Sequence, residues 1–403
     1  MSFREDHRQI AGEMELYFFD EQIGSGLPVW LPRGVAIREE LENFLRDCER
    51  RRGYLRVQSP HLARSELYEK SGHLACFRNN MFPPMRDPES QAELFLRPMN
   101  CPHHHRVFAA APRSYRQLPL RFAEFGQVYR RENSGSLHGL SRVRGLCQND
   151  AHIYAARSQV PSELEAVLRL QEHCCQALGL SGYRYRLSKH DPANFEGDPL
   201  LWRHCEELLR EALEKLGLPY FEASSEAAFY GPKIDLQISL AGREESVASV
   251  QLDFQAASRF GLAFVNKKGE EEEPWVIHRA PIGSVERMVA LLLERFKGRL
   301  PAWLAPVQLF VIPVGEAHAP FAEAAARELI QLGIRAEVDA SVGSLAKRIR
   351  HAHRLRPLAK LIVGDREIGG GELKLQLREE EIFLERCNLA DVMKRLVGGR
   401  PAP

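Results

Sequence analysis

The core of the fold can be predicted from residues 118–154, which read LPLRFAEFGQVYRRENSGSLHGLSRVRGLCQNDAHIY. The segment from about Leu118 to Tyr129 is typical of a strand, and so is the segment near Leu146–Tyr154. Between them, Asn133–Gly139 is rich in Gly and Ser, a composition that indicates a loop. A strand, a long polar loop and a second strand predict an antiparallel pair rather than a parallel βαβ unit.

On either side of this pair the sequence predicts both helices and strands. Apolar residues recur at helical spacing over 35–52, and a short strand from Leu55 to Val57 stops at Pro60. Downstream, residues 162–179 and 199–216 have the pattern of amphipathic helices, and the charged residues 267–273 indicate a solvated loop. Trp275–Ala280 is an apolar strand, and Ser284 is a suitable N-cap for a helix that extends to Phe296.

The pattern changes near residue 303, where strands and helices begin to alternate. This alternation predicts a separate α/β unit with a mostly parallel core, so that domains are expected at 1–302 and 303–403. The predicted elements are strands at 307–314, 334–339 and 360–364, helices at 319–332 and 344–355, a hairpin near 373–377 and a last helix from about 389.

The composition is that of an ordinary globular protein, with 44% hydrophobic and 27% charged residues. A net charge of +1 excludes a strongly basic nucleic-acid binder but leaves room for a basic patch on one face. The eight cysteines contain no CxxC pair, which favours a reducing compartment over a disulfide framework. The charged N-terminus carries no signal-peptide pattern, and no apolar run approaches the ~20 residues that span a bilayer. We therefore expect a cytoplasmic protein without a membrane partner.

Six motifs occur along the chain: LRPMNCPHH (96–104), RRENSGSLHGLSRVRG (130–145), QNDAH (148–152), FYGPK (229–233), VQLDF (250–254) and HRAPIGSVER (278–287). In this order and spacing they closely resemble segments of the threonyl-tRNA synthetase family. The resemblance implies an α+β protein in which a class II antiparallel-sheet catalytic domain precedes a smaller α/β anticodon-binding-like domain.

Amino-acid activation joins a carboxylate to the α-phosphate of ATP, so fixed cations must offset the negative charge that develops. Arginine suits this task because its planar fork can bind carboxylate and phosphate oxygens together. The resemblance implies that Arg130 and Arg287 are catalytic and bind ATP, which would enter with Mg²⁺. It gives Lys233 a catalytic role, and it places Glu132, Arg142 and Gln251 in the ATP site. Without the resemblance, a weak surface salt bridge would be the preferred interpretation of any one of these arginines.

The amino-acid pocket is expected around Cys101, His152 and His278, three residues at different strands or strand ends. Their spacing alone does not reveal a metal site and favours a buried cysteine and two hydrogen-bonded histidines. The resemblance implies that they bind Zn²⁺ and leave coordination positions open for the amine and hydroxyl of threonine. Valine has a methyl group in place of the hydroxyl and would be rejected. The expected substrate-binding residues around them are Asp150, Gln148, Tyr230 and Met99.

Two further expectations follow from the resemblance. His73, in Lys70-Ser-Gly-His73, matches a family histidine that assists transfer to the acceptor ribose, and an ordinary imidazole pKa of about 6.5 would suit a general base. The segment that ends at Pro60 matches the class II motif of the dimer interface, so a homodimer is implied.

The sequence departs from the family pattern in two places. It begins where the catalytic domain of the family begins, so the ubiquitin-like and editing domains are expected to be missing. In the C-terminal region, Val342 and Gln376 replace polar residues that would contact anticodon bases. Valine cannot form a hydrogen bond to a base edge. Contacts to tRNA are still expected from Glu367 and from Lys347, Arg348 and Arg350 of the basic helix, unless that helix is only a solvated face.

These observations predict ATP-dependent threonine activation and transfer to the 3′ end of threonine tRNA, without editing. One alternative is a paralogue that activates threonine but loads another tRNA, a carrier protein or a small molecule, and the altered anticodon segment favours it. A second alternative is a non-catalytic RNA-binding or regulatory relative. The presence of the expected arginine, zinc and Asp150 positions argues against this second alternative.

Overall fold

A computed structural model describes residues 6–191, 195, 197–228, 230–240, 243–378 and 380–403 of the chain. Phe229, in one of the motifs above, lies outside these residues. The chain divides into two compact units. The sheet unit comprises Glu21–Leu27 and Leu45–Met288, and the C-terminal unit comprises Met1–Asp20, Pro28–Phe44 and Val289–Pro403.

The described residues form both α-helices and β-strands, numbered here in chain order. The strands are β1 Tyr17–Phe18, β2 Val29–Trp30, β3 Leu55–Arg56, β4 Leu62–Arg64, β5 Met85–Arg86, β6 Glu93–Leu96, β7 Leu120–Tyr129, β8 Gly145–Ala155, β9 Tyr183–Ser188, β10 Tyr220–Ala223, β11 Lys233–Leu240, β12 Arg243–Asp253, β13 Phe264–Val265, β14 Glu271–Glu272, β15 Trp275–Ala280, β16 Leu309–Pro313, β17 Ala336–Val338, β18 Ala359–Val363, β19 Leu373–Gln376 and β20 Glu381–Leu384. The helices are α1 His7–Glu13, α2 Pro32–Arg51, α3 Ser65–Lys70, α4 His73–Cys76, α5 Cys101–Ala109, α6 Val160–Ala177, α7 Pro199–Lys215, α8 Ala256–Phe260, α9 Val285–Arg295, α10 Ala319–Gln331, α11 Leu345–Leu355, α12 Asp365–Ile368 and α13 Leu389–Val397.

An eight-stranded sheet dominates the sheet unit, with strand order β10-β9-β11-β12-β15-β8-β7-β3. The six strands from β9 to β7 are antiparallel to their neighbours, whereas β10 and β3 add to the two edges in parallel. Strands β7 and β8 pair antiparallel from Leu120↔Tyr154 to Tyr129↔Gly145. The antiparallel pair predicted from residues 118–154 is therefore confirmed, and it lies within an antiparallel-rich sheet.

One face of this sheet carries the residues of the site. Along a strand, alternate side chains share a face, so Phe122, Tyr154 and Val276 lie on the same face as His152 and His278. Helices α5 and α8 cover this face, where Phe108 and Phe260 join Phe122, Tyr154 and Val276 in one buried cluster. The ring of Phe108 stacks on that of Tyr154 with centroids 4.3 Å apart. The sheet thus provides a rigid platform, and α5 brings its own residues down onto it.

The C-terminal unit contains the predicted α/β arrangement. Its five-stranded sheet has the order β17-β16-β18-β19-β20, and the first three strands are parallel while the last two form an antiparallel hairpin. Helices α10 and α13 contribute Ala322, Leu329 and Met393 to a core that also contains Leu309 and Leu361. The mostly parallel core expected for this region is confirmed. Among the described residues, no helix is both long enough and apolar enough to span a bilayer.

Candidate active site

A buried group of side chains that could bind a metal, called the metal-binding group below, lies where α5 meets the sheet. Cys101 is the first residue of α5, while His152 and His278 face each other across β8 and β15. One ligand atom from each of the three residues lies within 4.8 Å of the others, and all three residues are buried. A thiol and two imidazoles form a donor set that zinc prefers. The expected position of Cys101 at a strand or strand end was wrong, because Pro102 is well tolerated in the first turn of a helix.

Hydrogen bonds determine which nitrogen of each imidazole can face the cluster. Asp253 Oδ2 lies 3.0 Å from Nε2 of His278, and Nδ1 of His104 lies 2.8 Å from Nδ1 of His152. These contacts leave Nδ1 of His278 and Nε2 of His152 for a metal. His105, Asp253 and His278 form a second compact donor group. Because Asp253 already accepts hydrogen bonds, including two from backbone N–H groups, the Cys101 group fits a metal better.

Burial disfavours negative charge in this cluster. Burial, followed by the charges of Asp150 and Asp253, raises the pKa of the Cys101 thiol well above its ordinary value. Burial also raises the pKa of the Asp150 carboxyl. A bound cation would counteract both effects, because it stabilises the thiolate and the carboxylate. The electrostatics are therefore those of a site that suits a metal ion.

Asn100 positions Asp150, and it has room to do so because the neighbouring residue 126 is a glycine. Asp150 lies two residues before His152 on β8, so both side chains are on the same face. Nδ2 of Asn100 donates a 3.0 Å hydrogen bond to Oδ2 of Asp150. A Cβ atom at Gly126 would lie only 2.4 Å from the Asn100 amide, so Gly126 provides the space for this contact. Gly126 faces Gln148 across β7 and β8, and Gln148 also bridges to Ser284.

His73 lies beside the metal-binding group. Its Nε2 is 3.2 Å from Sδ of Met99 and 3.9 Å from Sγ of Cys101, while its Nδ1 is 2.8 Å from the Ser71 hydroxyl. Burial, followed by the nearby charges of His278 and Arg130, lowers the pKa of His73 to about 4. The expectation of an ordinary pKa near 6.5 for this residue was therefore wrong. His73 begins α4 and is buried, so its imidazole is neutral at physiological pH.

A row of polar residues crosses three strands next to His278. Lys233 on β11 faces Gln251 on β12, and Gln251 faces His278 on β15. The ring of Tyr230 stacks on His278 with centroids 5.0 Å apart, and its hydroxyl donates to Oε1 of Gln251. Lys233 Nζ lies 3.0 Å from Oδ2 of the buried Asp235. The row thus joins the metal-binding group to a fixed positive charge.

Two arginines form the most cationic part of the site. Arg130 follows directly after β7, and Arg287 lies in the first turn of α9. Burial, followed by the charge of Arg287, lowers the pKa of Arg130. Among the described residues, no carboxylate lies within 4.0 Å of either guanidinium, although Arg287 donates to the backbone oxygens of Ser141 and Ser246. Two neighbouring cations without a close counter-ion are characteristic of an anion-binding site.

Glu132 and Arg142, both expected to contact ATP, instead contact each other. Nε of Arg142 lies 2.9 Å from Oε2 of Glu132, and the Arg142 side chain is exposed. Glu132 also raises the pKa of Arg130 through its charge, so it is close to the arginine pair. The Glu132–Arg142 pair would have to open before each residue could take its expected part in ATP binding.

The basic helix α11 departs from its expected role at one position. Arg348 is buried, and its Nε donates a 2.6 Å hydrogen bond to Asp339. It was expected to contact tRNA, but helical periodicity places it on the inner face with Ala352 and Leu355. Lys347 and Arg350 are exposed as expected, and Arg354 extends the same stripe.

Glu367, which was expected to contact tRNA, and the two substituted positions Val342 and Gln376 lie elsewhere in the C-terminal unit. The side chain of Glu367 accepts a 2.8 Å hydrogen bond from the backbone N–H of Gly364 at the start of α12. Val342 is 91% exposed. Gln376 lines a cleft of about 920 Å³ that contains more cationic than acidic side chains, including Lys297, Arg299, Arg354, Lys360 and Arg378.

Several residues that organise the site were not found from the sequence. Asn100 contacts Asp150, His104 contacts His152, and Asp253 contacts His278, while Glu124 contacts His104 from its other side. One signal was available for His104, which lies three residues after Cys101 and hence on the same side of a helix. Glu124 and Asp253 are recognisable only when strand pairing is known.

Comparison with known proteins agrees with this geometry. Residues 84–296 match the family described as the tRNA synthetase class II core domain (G, H, P, S and T), and residues 308–398 match the anticodon binding domain family. The threonine–tRNA ligase of Chlorobium chlorochromatii is 43% identical over 380 residues, which are 93% of this chain and 58% of the ligase. That of Thermus thermophilus is 43% identical over 382 residues, 94% of this chain and 58% of the ligase. The chain thus spans somewhat over half the length of these curated relatives.

A solved structure is similar over almost the whole chain. It is the RNA binding domain of threonyl-tRNA synthetase from Cryptosporidium parvum, with a TM-score of 0.90 and 35% sequence identity. The match covers 98% of this chain and 99% of that domain. The fold is accordingly a class II synthetase core followed by an anticodon-binding domain. The chain belongs to the threonyl-tRNA synthetase family of class II tRNA synthetases.

Proposed function

We propose that this chain activates threonine with ATP and transfers the threonyl group to the 3′ end of threonine tRNA. The observation that carries the proposal is the buried group of Cys101, His152 and His278, with Asp150 on the same face of β8. Relatives named threonine–tRNA ligase support it. In domain terms, we propose that residues 1–302 form the catalytic domain and 303–403 the anticodon-binding-like domain.

Cys101, His152 and His278 would hold a zinc ion, since their donor atoms and the partners of both imidazoles fit this metal. Bound zinc would supply an open coordination position and a Lewis acid for the amine and hydroxyl of threonine. Asp150, held by Asn100, would accept a hydrogen bond from the threonine hydroxyl. Gln148, Tyr230 and Met99 would complete the pocket.

Arg130 and Arg287 would bind the phosphates of ATP, which would enter as its Mg²⁺ complex. Their mutual repulsion, which lowers the pKa of Arg130, is relieved when an anion binds between them. As threonine's carboxylate oxygen attacks the α-phosphorus and pyrophosphate leaves, the two guanidinium groups stabilise the added negative charge. Lys233 would assist at the carboxylate or the phosphates, while Gln251, Glu132 and Arg142 would bind ATP.

In the transfer step, His73 would accept a proton from the acceptor ribose. A neutral imidazole is required for that task, and burial keeps His73 neutral at physiological pH. The exposed Lys347 and Arg350, together with Glu367, would contact tRNA. We also propose a homodimer and a cytoplasmic location. The eight cysteines, all within the described residues, form no disulfide, which supports a reducing compartment.

We further propose that these 403 residues do not hydrolyse misacylated tRNA. Serine shares the amine and hydroxyl of threonine and lacks one methyl group, so pocket selectivity should be only about 10–200-fold. Seryl-tRNA made by this chain should therefore persist. Rapid deacylation of purified seryl-tRNA by the protein would contradict the proposal.

One observation favours a second candidate, in which the chain activates threonine but loads a non-standard acceptor. Val342 stands exposed where a base-reading asparagine was expected, and it offers no hydrogen bond. This acceptor would be another tRNA, a carrier protein or a small molecule.

The test is threonine-dependent ATP–pyrophosphate exchange, followed by charging of total tRNA with labelled threonine. Exchange without RNA and charging of threonine tRNA are the expected results. Absence of exchange would reject threonine activation, and brisk exchange without any tRNA charging would favour the second candidate.

A further inference from the structure

A chain of buried hydrogen bonds extends from His152 away from the metal-binding group. His104, on the same helix as Cys101, contacts His152 through their Nδ1 atoms at 2.8 Å, and the two rings are nearly perpendicular at 82°. On its other side, Nε2 of His104 lies 3.1 Å from Oε2 of Glu124. His104 is fully buried and Glu124 is 3% exposed, so water does not compete for these contacts.

Glu124 is itself held in one position. Its Oε2 accepts a 2.6 Å hydrogen bond from the Ser59 hydroxyl, and its Oε1 accepts a 3.0 Å hydrogen bond from Nη2 of Arg97. Burial alone would raise the pKa of Glu124, but hydrogen bonds from His104 and Ser59 and the charge of Arg97 lower it to about 2. The carboxylate is therefore ionised at neutral pH and can only accept hydrogen bonds.

These contacts favour one placement of the protons on both imidazoles. Because Glu124 only accepts, Nε2 of His104 carries a proton. With its proton on Nε2, His104 has a lone pair on Nδ1 that can accept the proton on Nδ1 of His152. The remaining nitrogen of His152, Nε2, is left with a free lone pair. A lone pair at that atom is what a metal ligand needs.

We propose that His104 is a positioning residue of the zinc site. It donates its Nε2 proton to Glu124 and accepts the Nδ1 proton of His152, and in this way it keeps Nε2 of His152 ready to bind the metal. This inference rests on the proposed zinc site and adds a specific contributor to it. His278 is oriented in one step by Asp253, which lies 3.0 Å from its Nε2 and leaves its Nδ1 for the metal, whereas His152 is oriented in two steps. Helix α5 thus supplies both a ligand, Cys101, and the residue that orients another.

The test compares two substitutions that both remove the contact with Glu124. His104→Leu leaves His152 without an acceptor, whereas His104→Asn keeps an amide oxygen near the position of Nδ1. Damage to the pairing of Glu124, Ser59 and Arg97 is the same in both variants. Zinc affinity of the purified full chain is measured by competition with a chelator, and the absorption of the Co²⁺-substituted protein reports whether the imidazole still binds.

His104→Leu should weaken zinc binding by about 10–100-fold, and His104→Asn should recover most of this loss. Equal zinc affinity in His104→Leu and the unmodified protein would overturn the role of His104 and leave the zinc site standing. Failure of the unmodified protein to bind zinc would overturn both.

A second measurement observes the tautomer in the unmodified protein directly. In the unmodified, metal-free protein with ¹⁵N-labelled histidine, long-range ¹H–¹⁵N correlation spectra report the tautomer of each imidazole, and His152→Gln identifies the signals of His152. A proton on Nδ1 of His152 is expected. A proton on Nε2 instead would overturn the inference, whatever the variants show.

Discussion

The site on the sheet and the basic face of α11 hold their charges in different ways. On the sheet, His152, His278 and Asp150 are each hydrogen-bonded to a second buried or half-buried side chain. On α11, Lys347 and Arg350 project into solvent, and the one fixed arginine, Arg348, is turned inward to Asp339. The first arrangement suits chemistry that depends on fixed geometry, and the second suits attraction of phosphates along an exposed surface.

The comparison predicts that substitutions on the sheet will have large effects on activation and that those on α11 will have small ones. The largest effect is expected from Cys101→Ser. The variant should lose both bound zinc and threonine-dependent pyrophosphate exchange, since a hydroxyl is a poor substitute for a thiolate ligand. Elemental analysis should find about one zinc per chain in the unmodified protein and in the control Cys387→Ser. An active protein without metal would contradict the prediction.

Next in size are the two arginines. Arg130→Ala and Arg287→Ala should each lower pyrophosphate exchange by about 10²–10³-fold, as for other fixed donors to developing negative charge. The exposed Arg116→Ala provides a matched control and should leave the rate unchanged. Near-normal exchange in either active-site variant would refute its assignment to the phosphates.

A smaller effect is expected at His73. Its pH dependence distinguishes the lowered pKa seen in the structure from the ordinary pKa expected from the sequence. His73→Gln should slow single-turnover transfer from threonyl-adenylate to tRNA by about 10²-fold. Since burial lowers the pKa of His73 to about 4, the imidazole is deprotonated throughout pH 5.5–8.5. Its titration should therefore produce no inflection in the transfer rate near pH 6.5. An inflection there that disappears in His73→Gln but persists in His204→Gln would show that the imidazole titrates normally.

How much could be predicted from the sequence depends on the range of the interactions involved. Strand β15 was predicted with its observed bounds, and the β7–β8 pair within about two residues, because apolar composition and a Gly-rich loop are local signals. The inward orientation of Arg348 was not predicted. Leu345, Ala352 and Leu355 form an apolar stripe on the same side of the helix, but a basic helix is usually expected to expose all of its charges. The partner of Arg348, Asp339, lies nine residues away, in the loop directly after β17.

The cysteine and the two histidines of the candidate site could be predicted from the sequence, but the residues that hydrogen-bond to them could not. Resemblance identified Cys101, His152 and His278, which the structure brings together. Asp253 contacts His278 from the neighbouring strand, and Glu124 contacts His104 of helix α5 from the sheet. Such contacts join distant parts of the sequence, so no local pattern predicts them. The shifted pKa of His73 is likewise a consequence of burial, which a short loop sequence does not reveal.

A support of the sheet site can be tested with a single methyl group. Gly126→Ala would place a Cβ atom 2.4 Å from the Asn100 amide and displace it from Asp150. We expect kcat/KM for threonine activation to fall by about tenfold, the equivalent of roughly 1.4 kcal/mol, with KM for threonine affected more than KM for ATP. Gly12→Ala, which meets no atom within 4 Å, is the control. An unchanged KM for threonine would show that Asn100 does not control Asp150.

The smallest effects on charging are expected from the C-terminal unit, and measuring them tests the difference between its exposed charges and the fixed side chains on the sheet. Val342 is 91% exposed and cannot read a base, while Lys347 and Arg350 can still attract phosphates. Changing anticodon bases of threonine tRNA should therefore reduce kcat/KM for charging only slightly. A good base contact contributes about 1–3 kcal/mol of discrimination, and one such contact is missing here.

Two variants separate base reading from phosphate binding. Val342→Asn should restore part of the anticodon discrimination, up to about tenfold, without changing pyrophosphate exchange. Arg350→Ala should weaken binding of all tRNA sequences alike and reduce its dependence on salt, since one phosphate contact is lost. The measurement is charging kinetics for threonine tRNA and its anticodon mutants at several fixed salt concentrations. If anticodon changes lower kcat/KM by several orders of magnitude in the unmodified protein, the C-terminal unit recognises bases through residues other than Val342. The contrast with the site on the sheet would then be wrong, because the C-terminal unit would also depend on side chains in fixed positions.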